Sequence, residues 1–260
     1  MDKLFIIKVG GNVIDNEDSL RSFLVDFASA GVKKILVHGG GKIATKIGER
    51  LGIAPDYVNG RRITDAETID LVTMVYGGLV NKQVVAKLQA LHCNAIGLTG
   101  VDANIISAVK RPVKEVDYGF VGDVSGLQAG TLKLFLDNGL TPVVAPLTHD
   151  GKGQVLNTNA DTIASSLAVS LAAYYDVRLI YCFEKKGVLE NVEDENSVIS
   201  LITKDIYEEL KAGNKLFDGI FPKIDNAFDA IHAGVKEVLI GDAKDLLQNI
   251  TDETKGTLIK

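Results

Sequence analysis

The chain has 260 residues, 46% hydrophobic and 24% charged, with 28 Lys and Arg against 34 Asp and Glu and a net charge of −6. That length suits one large α/β domain or two lobes with a substantial core, and an acidic balance without a basic run argues against nucleic acid, whose phosphates demand clustered Lys and Arg. No apolar run reaches the ~18 residues of a membrane span, Lys8 interrupts the first apolar stretch, and Cys93 and Cys182 form no CxxC or Cys/His cluster, so the expectation is a cytoplasmic protein with reduced core cysteines and no membrane partner.

Leu4 to Val9 reads as a buried strand stopped by Gly10 and Gly11. Leu20, Phe23, Leu24 and Phe27 recur at helical spacing before Gly31, and 34–38 is a second strand ending in Gly39, Gly40 and Gly41. This order predicts a parallel βαβ unit. A helix over 41–51, a hairpin around 57–63, helices within 65–91 and strands near 95–98 and 105–109 follow. Pro112, Gly119 and Gly122 make 113–124 a hairpin and loop. Then come a helix over 127–138, a strand over 141–146, a helix over 160–173, a strand over 177–183, helices within 204–212 and 222–233, and a strand over 237–240.

Two glycine-rich turns directly follow predicted strands, Lys8-Val9-Gly10-Gly11-Asn12 and His38-Gly39-Gly40-Gly41-Lys42. At the carboxyl edge of a parallel sheet such turns bring backbone N–H groups close to a phosphate; the alternative is a pair of tight βα turns with Lys8 in solvent. There is no Walker A motif and no kinase HRD or DFG, whereas Gly39-x-Gly41-x-x-Ala44 fits a loose dinucleotide fingerprint and keeps a nicotinamide-dependent oxidoreductase as a rival. In Asn157-Thr158-Asn159-Ala160-Asp161-Thr162, capping by Asn159 accounts for part of the polarity and leaves Asn157 for a site. Pro222 suits a first helical position, which puts Lys223 where a cation opposes the helix dipole, so either an anion is close or the ammonium is simply solvated. Of Arg61 and Arg62, one can fork a carboxylate, or both form a surface charge pair.

These segments, with Asn59-Gly60-Arg61-Arg62-Ile63-Thr64, Gly97-Leu98-Thr99-Gly100, Asp102, Gly119-Phe120-Val121-Gly122-Asp123, Asp218-Gly219, Pro222-Lys223 and Gly256-Thr257, resemble the amino acid kinase family almost end to end. The resemblance implies a three-layer α/β/α sandwich around a mainly parallel central sheet. It forms a single domain over 1–260, whose N-terminal lobe, 1–150, holds an acyl amino acid and dimerises and whose C-terminal lobe, 151–260, holds ATP. The implied activity is ATP-dependent phosphorylation of the side-chain carboxylate of an N-acylated glutamate, acetyl or succinyl, early in arginine biosynthesis. Mg2+ is carried by the nucleotide and the protein itself binds no metal. By motif position, Lys8 and Lys223 neutralise the phosphoryl group and Asp161 orients them. Gly40, Gly41, Arg62 and Asn157 contact the acyl amino acid, and Gly10, Gly11, Glu184 and Gly187 the nucleotide.

Other acceptors within the superfamily (N-acylaminoadipate, aspartate, glutamate, carbamate or UMP) and a catalytically silent sensor are the alternatives. Phe183 and Glu184 stand where the family carries a small-residue, Asp-containing turn, and Val101 replaces a common lysine. The chain opens directly on its first strand, without the N-terminal helix that arginine-inhibited hexameric members of the family carry, and the resemblance therefore implies a homodimer insensitive to arginine.

Overall fold

A computed structural model describes residues 1–58, 60–191, 193–213 and 220–260. Asn59 of the arginine segment and Phe217, Asp218 and Gly219 lie outside the described residues. The strands, in chain order, are β1 (Lys3–Val9), β2 (Lys34–His38), β3 (Tyr57–Val58), β4 (Arg61–Arg62), β5 (Ala95–Leu98), β6 (Ile106–Lys110), β7 (Gly122–Leu127), β8 (Thr141–Val144), β9 (Leu147–His149), β10 (Val155–Asn157), β11 (Asp176–Phe183), β12 (Leu201–Ile202), β13 (Glu237–Asp242) and β14 (Thr257–Ile259).

By contact the chain divides into two compact units, residues 1–35 with 164–260, and residues 36–163. In the first, β11 lies between β1 and β13 and is parallel to both, with Lys8 opposite Tyr181 and Val9 opposite Cys182. β14 is antiparallel to β13, and β12 runs parallel to β14 at the edge. Leu4 to Val9 and Val177 to Cys182 are buried without alternation, as expected of strands covered on both faces. The helix Glu17–Ser29 turns Leu20, Phe23, Leu24 and Phe27 inward, and Asn16 caps it by accepting from the Ser19 amide.

In the second unit, β8 lies between β2 and β5 and is parallel to both, while β10, β9, β6 and β7 form a four-stranded sheet and β3 and β4 a hairpin. The helices expected within 65–91 are Ala66–Val72 and Asn81–Ala90, joined by a π-helical stretch, Thr73–Val80, that carries Tyr76. Residues 122–127, expected as the end of a loop and the start of a helix, instead form β7 antiparallel to β6, and the helix begins at Ala129. Glycines at 122 and 126 hide that strand's alternation. β9, β10, β12 and β14 were not anticipated, because strands of two or three residues are too short to display a period. Cys93 and Cys182 are free and buried, as expected.

Candidate functional site

In the unit formed by residues 36–163, the turn after β2 leads straight into the helix Gly41–Leu51. His38, fully buried, sets that turn: its Nδ1 lies 2.7 Å from the Gly39 carbonyl oxygen and its Nε2 3.1 Å from Nδ2 of Asn81. Burial holds the imidazole neutral, its pKa pulled down to about 4. With Asn81 donating to Nε2, the proton sits on Nδ1 and is donated to Gly39. A Cβ on Gly40 would lie 3.0 Å from the Tyr76 ring, so the close aromatic approach selects glycine there.

Arg62 on β4 is buried, and its Nη2 donates to the Gly41 carbonyl oxygen at 3.0 Å, to Thr45 Oγ1 at 2.8 Å and to Tyr57 Oη. The Tyr57 ring lies 4.8 Å from the guanidinium carbon. Nη2 belongs to both fork edges of the guanidinium, so the forked carboxylate grip anticipated from the sequence has one nitrogen already engaged by the protein. Among the described residues neither Nε nor Nη1 has an acceptor.

Asn157 ends β10, and its Nδ2 donates to Thr64 Oγ1 at 3.0 Å. Phe120 and Val121 clamp this corner: the Phe120 amide donates to Thr64 O, the Asn157 amide donates to Phe120 O, and Val121 bridges to Asn157. Gly119, at φ +70°, permits the clamp, since a Cβ there would overlap the Thr64 carbonyl. Gly40, Gly41, Arg62 and Asn157 line one cavity of about 250 Å³. Asn159 Oδ1 accepts from the Asp161 and Thr162 amides at 2.8 and 3.2 Å, so its role is the helix cap, and Asp161 stands in the first turn of Ala160–Leu171.

In the unit formed by residues 1–35 and 164–260, Lys8 is buried at the end of β1, and Lys223 is in the first turn of the helix Phe221–His232, with Pro222 at its start. Both ammoniums meet the ring of Phe183, Lys223 Nζ 3.5 Å and Lys8 Nζ 5.3 Å from its centroid. The ring answers part of what the unfavourable dipole at Lys223 demands. The Gly10 amide donates to the Cys182 carbonyl at 3.2 Å, and Gly11 opens the short helix Gly11–Asp15. Burial pushes the Cys182 thiol up to about 12, so it stays protonated.

Glu184 is exposed and, with Asn12, Asp18 and Lys244, borders a cavity of about 430 Å³. Gly187 is buried: a Cβ would lie 2.6 Å from Thr257 Oγ1, which accepts from the Val188 amide at 2.8 Å. Its packing against β14 alone calls for glycine.

Residues 3–242 match the Amino acid kinase family. The chain belongs to this family. It is 60% identical to the acetylglutamate kinase of Cytophaga hutchinsonii over 259 residues, covering 99% of this chain and 98% of the relative. It is 55% identical to that of Phocaeicola vulgatus, covering 100% and 99%. The crystal structure of smu.665 from Streptococcus mutans UA159 superposes with a TM-score of 0.78 at 31% identity, covering 99% of this chain and 98% of that one. The α/β class expected from the sequence is therefore that of the amino acid kinase fold, and the glycine triplet after β2 belongs to that fold rather than to a dinucleotide-binding one.

For an amino acid kinase, the supporting residues that the sequence left unmarked are Thr45 and Tyr57, which anchor Arg62, and Tyr76, which packs on Gly40. No local motif signals them, because each acts across an element boundary. Phe183 was visible as an aromatic out of pattern, but its two lysine partners were not.

Proposed function

We propose that the chain transfers the γ-phosphoryl group of ATP to the side-chain carboxylate of N-acetyl-L-glutamate, an early step of arginine biosynthesis. The observation that carries this reading is the cavity shared by the glycine turn, Arg62 and Asn157, in a chain 60% identical to an acetylglutamate kinase. Arg62, through Nε or Nη1, takes the substrate's carboxylate, and Asn157 its amide end, with the amides of Gly40 and Gly41 alongside. The nucleotide falls to Gly10, Gly11, Glu184 and Gly187.

The acceptor carboxylate is ionised at neutral pH, so no general base is needed and catalysis reduces to positioning and charge neutralisation. Lys8 and Lys223 supply the positive charge for the phosphoryl group, and Asp161 orients the lysines. Mg2+ would be carried by the nucleotide phosphates and would offset part of their charge there. The same reading assigns the acyl amino acid and dimerisation to 1–150 and ATP to 151–260, in a cytoplasmic homodimer. No helix among the described residues is long and apolar enough to cross a membrane.

The test is ADP release by purified protein with MgATP, offering N-acetyl-L-glutamate, N-succinyl-L-glutamate, glutamate, aspartate and UMP in parallel, with hydroxylamine to trap an acyl phosphate. Hydroxamate formed from an N-acylated glutamate alone supports the reading, and the better of the two identifies the acyl group. Turnover confined to glutamate, aspartate or UMP overturns it. Sedimentation as a hexamer contradicts the dimer.

A further inference from the structure

We infer that Phe183 is a positioning residue for phosphoryl transfer, its ring being the common platform on which the Lys8 and Lys223 ammoniums are held. The inference rests on the catalytic role proposed for those lysines.

Lys8 pairs with Tyr181 across β1 and β11, and side chains two apart on a strand share a face, so Lys8, Tyr181 and Phe183 project to the same side. The Tyr181 and Phe183 rings stack at 6.3 Å between centroids and 24° between planes, which fixes the orientation of the second ring. Lys223 arrives from a different element and brings its Nζ to 3.5 Å from the Phe183 centroid, while Lys8 Nζ lies 5.3 Å away.

Two ammoniums on one ring repel each other, and a group that holds them both, whatever else they meet, serves best if it does not weaken their hold on an incoming anion. A carboxylate at residue 183 would pair with the lysines and also repel the phosphates. The face of an aromatic ring attracts cations through its quadrupole yet carries no net charge, so it holds the ammoniums while leaving their charge to the phosphoryl group. The effect belongs to the ring electrons rather than to ring volume, which separates it from ordinary packing.

Fluorinated phenylalanines incorporated at residue 183 in the full-length protein drain the ring quadrupole with little change of shape. The expected result is a kcat that falls stepwise with fluorine number, by about tenfold at pentafluorophenylalanine. KM for N-acetyl-L-glutamate and the unfolding midpoint should hold steady. Phe183→Leu should fall at least as far and Phe183→Tyr recover most of the loss. A flat kcat across the fluorinated series overturns the platform. Lys8→Ala, assayed alongside, separates the two levels: if it is inactive and the series is flat, only the role of Phe183 fails, whereas if it turns over like the parent protein, the assignment of the lysines fails.

Discussion

Nη2 of Arg62 donates to the carbonyl oxygen of Gly41 at 3.0 Å, tying the β3–β4 hairpin to the first residue of the helix that follows β2. The same nitrogen reaches Thr45 one helical turn on, so one planar group sets both hairpin and helix start. An ammonium has no such plane. Arg62→Lys is therefore expected to raise KM for N-acetyl-L-glutamate about 10- to 100-fold, the equivalent of ~1.5–3 kcal/mol for a hydrogen bond to a charged group, with KM for ATP near that of the parent. Steady-state kinetics in both substrates checks this, and an unmoved KM for the acyl substrate would remove Arg62 from its binding.

Lys8 sits at the end of β1 beside the backbone that binds Gly10 to Cys182. Lys8→Ala should leave the protein folded, because the pairing of β1 with β11 is made by the backbone, which the substitution does not alter, while kcat drops by about 100- to 1000-fold, the scale on which a preorganised charge-stabilising group acts. Circular dichroism and turnover measured on the same preparation decide it. Turnover like the parent's would refute the assignment.

His38 makes stability depend on pH. Its folded pKa of about 4 lies below the ordinary histidine value of 6.5, so the unfolded chain takes up a proton first as pH falls. The stability it confers is complete above pH 6.5 and is lost progressively down to about pH 4. Between pH 7 and pH 5 this amounts to roughly 2 kcal/mol. Urea unfolding at both pH values should show a smaller acid-induced loss for His38→Asn than for the parent chain, and equal losses would exclude His38 as the source.

Gly119→Ala places a side chain at φ +70° and against the carbonyl of Thr64. Strain at such a position costs about 1–3 kcal/mol, and the overlap adds to it. Because Thr64 also accepts from Asn157, the variant should both unfold at lower urea concentration and bind N-acetyl-L-glutamate more weakly. A variant as stable as the parent would mean that the turn relaxes without cost.

Local chemistry made much of this protein legible from its sequence alone. The apolar runs of β1, β2 and β11 are long enough to declare strands, glycines stop the first two, and Asn159 announces a helix start with its side-chain oxygen. The motifs built on Lys8, Gly40, Arg62, Asn157 and Lys223 also named the family, since each concentrates unusual residue types within a few positions. Tertiary structure decided what depends on residues distant in sequence. Strands as short as β9 and β10 exist only because neighbouring strands supply their hydrogen bonds. Gly119 is needed because the Thr64 carbonyl occupies the space beside it. The two lysines find the same ring only when β1, the end of β11 and the helix Phe221–His232 are brought side by side. Spacing along a chain encodes the period of a helix or strand, but contact across elements depends on register and packing, which no short segment carries.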